Sequence, residues 1–337
     1  MKRYYRPIPQ LDTTRPKTAL TLAGGWAWFD RVEVLTRDGS TVIPAQDTPA
    51  EVLQSLTEAR APIGGVPMDR PTIMGILNVT PDSFSDGGDH NAPDQALEHA
   101  RQMVAQGADL IDVGGESTRP GAQYVPDDQE IARTVPVIER VRANIHIPMS
   151  IDTRKAGVAR AAVAAGAGIV NDVSGFTFDP DLAEYCAQDG LPVMVMHAQG
   201  DPQTMQDAPR YDDVLLDVYD FLEERVAFLM SKGIPRSQIV VDPGIGFGKT
   251  IDHNLKLLNR LSLFHALGCP ILLGVSRKRF IGTIGKAEAP KDRVAGSVSV
   301  GLRAVMDGVQ MLRVHDVAET RSALDLWMAV QRGAYSD

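Results

Sequence analysis

From Pro71 onward, short apolar runs alternate with longer stretches in which apolar residues recur every three or four positions. The short runs lie at 72–77, 110–113, 149–151, 169–170, 193–195, 239–241, 271–273 and 310–312. Most are apolar on both faces, the pattern of strands buried on both sides in a parallel sheet covered by helices. The stretches around 92–106, 128–142, 155–165, 180–189, 212–232, 252–267, 291–306 and 317–331 carry the spacing of amphipathic helices. Eight strand–helix pairs in about 265 residues predict an α/β chain closed into a (β/α)8 TIM barrel, with an open doubly wound sheet as the alternative.

Residues 1–70 break this rhythm and read as an N-terminal extension, leaving 71–337 as the barrel. Within 26–42 a β-hairpin is expected, with Val32-Glu33-Val34-Leu35 and Thr41-Val42-Ile43 flanking a turn at Asp38-Gly39. Thr48-Pro49-Ala50-Glu51 reads as a capping box with proline at the first helical position. Ala61-Pro62-Ile63-Gly64-Gly65-Val66-Pro67 is rich in helix and strand breakers and marks the expected boundary.

Composition narrows the function. A chain of 337 residues with 44% hydrophobic and 23% charged residues has the makings of a large core. Its net charge of −9 argues against nucleic acid or an anionic membrane as the principal partner. An anionic substrate would therefore need a local positive pocket. Cys186 and Cys269 are too few and too far apart for a disulfide framework or a zinc site, and read as free thiols in a reducing compartment. No apolar run follows Met1-Lys2-Arg3 as in a signal peptide, and no stretch approaches the roughly 18 apolar residues of a membrane span, so a cytoplasmic location is expected.

In such barrels the catalytic groups collect at the C-terminal ends of the strands. Those ends carry, in order, Asn78, Asp112, Asp152, Asn171, His197, Asp242, Ser276 with Lys278, and Arg313 with His315. A single polar loop start means little; amides, carboxylates and cations at all eight point to one shared site. Asp112, Asp152 and Asp242 each follow an apolar run and are costly to bury without partners. A donor-rich heterocycle such as a 2-aminopyrimidinone offers paired N–H groups to such carboxylates, each charge-assisted bond contributing about 1.5–3 kcal/mol. Asp152, ahead of Thr153-Arg154-Lys155, reads equally well as a helix cap, whereas Asp242 before Pro243-Gly244 reads better as a ligand contact. Arg119, Lys278, Arg313 and His315 approach one rim from three strands and suit a phosphate or diphosphate.

The segment from Asp242 to Thr250 ends in Gly-Lys-Thr like a phosphate-binding loop, but Pro243 stands where its first glycine belongs. It fits better as a turn that brings backbone close to a flat ligand, with Phe247 either stacking on it or packing in the core. No metal-ligand spacing and no Gly-x-Ser-x-Gly nucleophile motif stands out, so the chemistry should rest on positioning and charge stabilisation.

Across most of 71–331 these residues resemble dihydropteroate synthase. The resemblance lies in Gly75-Ile76-Leu77-Asn78-Val79-Thr80-Pro81-Asp82-Ser83-Phe84-Ser85-Asp86-Gly87-Gly88, the 112–121 block and Ser150-Ile151-Asp152-Thr153. It continues in Asn171-Asp172-Val173-Ser174-Gly175, Met196-His197, the 242–249 segment, Ser276-Arg277-Lys278 and Arg313-Val314-His315-Asp316. It implies a (β/α)8 barrel, a homodimer, Mg2+, and a transferase that joins p-aminobenzoate to a dihydropterin bearing a CH2-diphosphate. The residues it implies for the pterin are Asp112, Asn171, Asp242 and Lys278, with Met196 and Phe247 along the ring faces. Asn78, Arg313 and His315 would take the diphosphate, Asn78 also helping to hold Mg2+. Phe84, Thr118, Arg119, Pro120 and Ser276 would shape the aminobenzoate pocket. Arg279 stands where some relatives carry serine near the aminobenzoate carboxylate, and is the candidate to replace it. A pterin-dependent methyltransferase domain and a catalytically silent pterin-binding paralogue are the competing readings.

Overall fold

The computed structural model describes residues 1–79, 92–117, 122–200, 205 and 207–334. In the N-terminal segment, β1 (Tyr4–Pro7), β2 (Leu20–Thr21), β3 (Trp28–Phe29), β4 (Arg31–Thr36) and β5 (Gly39–Pro44) precede α1 (Ala50–Thr57). Barrel strands and helices then alternate as β6 (Thr72–Asn78), α2 (Ala92–Ala105), β7 (Leu110–Gly114), α3 (Asp127–Asn144), β8 (Met149–Asp152) and α4 (Ala156–Ala165). They continue as β9 (Ile169–Asp172), α5 (Pro180–Gln188), β10 (Val193–Met196), α6 (Val214–Ser231), β11 (Ile239–Asp242) and α7 (Ile251–Asn259). Last come β12 (Leu272–Leu273), α8 (Arg279–Gly285), α9 (Val294–Met306), β13 (Met311–Val314) and α10 (Val317–Arg332).

The barrel strands pair in parallel in the order β11-β10-β9-β8-β7-β6-β13-β12. A parallel bridge from Val241 to Ile271 joins the two ends, so the sheet is the closed barrel expected from the repeat and not an open sheet. Successive strand side chains alternate between its two faces. The residues facing the interior form an apolar layer of Met74, Leu110, Ile169, Met194, Val240, Leu272 and Met311. Two positions further along the same strands stand Asp112, Asn171, Met196, Asp242 and Arg313. The alternate residues, among them Val113, Ile151, Val170, Val195 and Val241, pack outward under the helices. One period-two pattern thus builds the dry layer and seats the polar groups above it.

The floor is completed from outside the repeat: Ile63, Val66 and Met68 join the interior layer, with Ile63 and Val66 bridged around Gly64 and Gly65. Gly64 has φ of 54°, and a Cβ there would stand 2.7 Å from Ile169 Cδ1, so glycine is required on both counts. The N-terminal segment is fastened to the flank by Lys2 to Asp220 (2.5 Å) and Glu223 (2.5 Å), Trp26 Nε1 to Val305 O (2.9 Å) and Arg60 to His265 O (3.0 Å).

Several local expectations shift. The hairpin is β4–β5, but Thr36 pairs with Gly39, so the turn is Arg37-Asp38, one residue early. Trp28 belongs to a separate pairing with β2, and β1 adds an unforeseen antiparallel neighbour to β4. The capping box does not form: Pro49 is the N-cap of α1 and buried Thr48 Oγ1 has no hydrogen-bond partner. The long helix expected at 252–267 ends at Asn259, and a 3-10 turn over Leu261–Leu267 buries Leu261, Leu263, Phe264 and Leu267. Helix α8, lying between two expected elements, was not legible as a separate unit. Among the described residues no helix is long and apolar enough to cross a membrane.

Candidate active site

Asp112, wholly buried in the middle of β7, is the hub of the barrel mouth. Its Oδ1 accepts from Ser150 Oγ at 2.6 Å, and its Oδ2 accepts from Arg313 Nε at 2.7 Å and Asn171 Nδ2 at 3.3 Å. Arg313 also donates through Nη2 to Asp152 Oδ2 at 2.8 Å. Asp152 is therefore not the cap of the following helix: Lys155 holds the N-cap position of α4, and Asp152 turns inward. Burial raises the Asp152 carboxyl to about 8, Arg313 pulling it down and the neighbouring Asp112 pushing it up. Asp152 Oδ1 is buried with no hydrogen-bond partner. Between Asp152 and Asn78 lies Gly114, whose Cβ position is 3.7 Å from Asn78 Oδ1 and 3.7 Å from Asp152 Oδ2.

Across the mouth, Asp242 Oδ1 accepts from the Gly244 backbone N–H at 2.7 Å. Burial raises its pKa, against the pull of the Lys278 ammonium. Lys278, at the loop after β12, donates to Ile245 O and sits 4.6 Å from the centre of the Phe247 ring. Burial lowers Lys278 to about 8, with Asp242 opposing the shift and Arg313 reinforcing it. Met196 is buried at the tip of β10, and a Cβ on Gly244 would lie 3.2 Å from its Cγ.

The third wall joins β12 to β13. Ser276 Oγ accepts from the His315 backbone N–H at 3.1 Å and lies 3.0 Å from His315 Nδ1. Between them Arg277, at φ of 58°, pairs with Asp316 and holds the loop that delivers Lys278.

The structure thus gathers Asn78, Asp112, Asp152, Asn171, Met196, Asp242, Phe247, Ser276, Lys278, Arg313 and His315 at one end of the barrel. Phe84, Thr118, Arg119 and Pro120 lie outside the described residues. Arg279 is exposed at the start of α8. Sequence reasoning missed two groups. One is Ser150, whose signal is a lone hydroxyl two positions before Asp152 on the same face, marking an inward donor. The other, Lys249, the lysine of the Gly-Lys-Thr ending, is buried and donates to Gly244 O at 2.8 Å and Phe247 O at 3.0 Å.

Residues 74–315 match the family described as pterin binding enzyme. Over 257 residues the chain is 46% identical to the dihydropteroate synthase of Escherichia coli (strain K12), a match covering 76% of this chain and 90% of that relative. The chain belongs to the dihydropteroate synthase family. Its members are transferases of folate synthesis. The structure of Xanthomonas albilineans dihydropteroate synthase with 4-aminobenzoic acid is similar at a TM-score of 0.76 and 48% identity, covering 81% of this chain and 98% of that one. A Yersinia pestis dihydropteroate synthase in complex with a sulfonamide drug is similar at a TM-score of 0.74 and 46% identity, over 79% of this chain and 96% of that one.

Proposed function

We propose that the chain condenses 6-hydroxymethyl-7,8-dihydropterin diphosphate with p-aminobenzoate, releasing 7,8-dihydropteroate and diphosphate. The observation that carries the reading is the pair of buried carboxylates, Asp112 and Asp242, facing one mouth with Asn171 and Lys278. Acceptors and donors in that arrangement suit the N–H and C=O edges of a pterin, with Met196 and Phe247 beside its faces.

The chemistry follows from charge placement. The C–O bond between the pterin CH2 and the diphosphate breaks, and its electron pair leaves with the diphosphate. Asp112 stabilises the positive charge that develops on the ring and CH2, and Lys278 holds the ring in place. Arg313 has five N–H donors and commits two positions, Nε and Nη2, to Asp112 and Asp152. Its other donors, with His315 and Asn78, take the leaving diphosphate. The aminobenzoate nitrogen then gives its lone pair to the CH2 carbon and loses a proton to solvent. Ser276, beside His315, is read as one side of the aminobenzoate pocket.

Asn78 and Asp152 flank Gly114 and bring hard oxygen donors, Asn78 Oδ1 and, on Asp152, an Oδ1 that has no hydrogen-bond partner. They suit Mg2+, which takes one or two carboxylates and fills its shell with substrate phosphates and water. Among the described residues no group of three His, Cys, Asp or Glu would hold a metal without the substrate. The ion would supply charge neutralisation on the diphosphate. By the same reading the enzyme is a cytoplasmic homodimer, a state that sedimentation of the purified chain checks.

The test is diphosphate release from the dihydropterin diphosphate with Mg2+, with and without p-aminobenzoate, while dihydropteroate is detected. Release coupled to dihydropteroate supports the synthase. Tight pterin binding with no product would overturn it in favour of a silent paralogue or a methyltransferase domain.

A further inference from the structure

Lys249 takes no part in the chemistry above, yet it is buried deeper than most lysines in any fold, at 3% exposure. Its Nζ lies 2.8 Å from His197 Nδ1, 2.8 Å from Gly244 O and 3.0 Å from Phe247 O. Its N–H groups donate to these two carbonyls and, at 3.4 Å, to His197 O, so every polar contact of Nζ falls on the β10 tip or the β11 loop. Burial lowers both Lys249 and His197 well below their usual ranges.

The partners belong to two different walls of the mouth. His197 follows Met196 at the tip of β10, and its ring packs edge-on against Phe221 with centroids 4.9 Å apart. Gly244 and Phe247 belong to the loop after β11. The two loops are in contact: a Cβ on Gly244 would fall 1.8 Å from His197 O, and one on Gly248 would fall 2.6 Å from Gln199 O. On its outer side the same loop is fastened by Tyr211, whose hydroxyl donates to Gly248 O at 2.8 Å.

We propose that Lys249 is a positioning residue for the pterin, tying the β10 tip to the β11 loop so that Met196, Phe247 and the Ile245 carbonyl stand where the ring and Lys278 need them. The inference rests on the pterin reading of the site and adds to it a residue that sets the pocket's width without touching the ligand.

Lys249→Met keeps the length of the side chain and removes its polar contacts. The expected result is a rise of about tenfold or more in the Kd of the dihydropterin diphosphate, the scale of one or two lost hydrogen bonds. The KM for p-aminobenzoate at saturating pterin should stay within twofold of wild type. Tyr211→Phe loosens the same loop from the outside and should raise the pterin Kd by a few fold in the same sense. It keeps the idea testable if Lys249→Met fails to fold. Pterin affinities within twofold of wild type for the folded variants would overturn the proposal. So would equal losses in both substrates, which mark general damage. A wild-type chain that binds no pterin at all would instead defeat the underlying reading.

Discussion

Arg313 and Asp112 meet at 2.7 Å, Nε to Oδ2, across the barrel mouth from β13 to β7, and the same guanidinium reaches Asp152 at 2.8 Å. One cation thus compensates two buried carboxylates that stand on different strands. Arg313→Met would leave Asp112 without its cation, and breaking a buried ion pair in this way costs about 3–5 kcal/mol. We expect urea unfolding to show a loss of that order, with turnover reduced by about a hundredfold or more. Arg313→Lys keeps the charge but not the planar fork, and should lose activity with less than half the stability cost. Equal stability of Arg313→Met and wild type would remove Arg313 from the centre of the site.

Asp242→Asn tests the other carboxylate. The amide is nearly isosteric and can still accept from Gly244, so the fold should hold. A charge-assisted hydrogen bond of about 1.5–3 kcal/mol corresponds to a pterin affinity lower by roughly ten- to hundredfold. Calorimetry with the dihydropterin measures it directly, and near-normal affinity would sink the assignment.

The period-two strands explain why so much of this site was legible. Asp112, Asn171, Asp242 and Arg313 each stand two residues beyond an apolar interior residue, so the alternation that betrays the barrel also aims the chemistry. What stayed hidden depends on distance between strands. Nothing local to Asp152 distinguishes a helix cap from a partner of Arg313, which lies 161 residues away in the chain. The burial of Lys249 depends likewise on His197, 52 residues earlier. In the N-terminal segment, Thr48 and Glu51 satisfy the spacing of a capping box, but the backbone places Pro49 itself at the cap. Ile63 and Val66 look like linker residues until the barrel floor receives them.

The pH dependence of stability should carry the signature of Asp152. Its folded pKa of about 8 stands above an unfolded value of about 4. Between these limits the folded chain holds more protons than the unfolded one, so this group's contribution falls as pH rises through the window. Asp152→Asn removes the dependence. Relative to wild type, the variant should therefore gain stability steadily from pH 5 to pH 8. Lys278 acts with the opposite sign: its folded value of about 8 lies below an unfolded one of about 10.4, so its contribution rises with pH between them. Guanidinium melts at several pH values check both, and a stability difference between Asp152→Asn and wild type that does not change with pH would refute the first.

A sulfonamide should compete with p-aminobenzoate for this enzyme. The run Glu116-Ser117-Thr118-Arg119-Pro120-Gly121 carries no insertion of the kind found in sulfonamide-insensitive relatives. Steady-state inhibition should give a raised KM for p-aminobenzoate and an unchanged kcat. Turnover indifferent to the drug at concentrations that saturate sensitive relatives would refute it.

Glu116 and Val125 lie on either side of that same stretch and are joined directly, the Val125 N–H donating to Glu116 Oε1 at 3.1 Å. Lys155 completes the fastening. Its Nζ donates to Val125 O, to Glu130 Oε2 at 2.7 Å and to Glu116 Oε2 at 3.1 Å. Glu130 is wholly buried, and Lys155 is 2% exposed. Lys155→Met would therefore leave the buried Glu130 without its cation, while Glu116 keeps Arg154 at 3.2 Å, at a cost of about 3 kcal/mol or more. Because none of these bonds involves Asp112, Asp242 or Lys278, the effects should separate. The KM for p-aminobenzoate should rise severalfold, while the pterin Kd, measured below the variant's lowered melting temperature, should stay within twofold of wild type. A variant that loses pterin affinity as strongly as aminobenzoate affinity would show that the two halves of the site are not held independently.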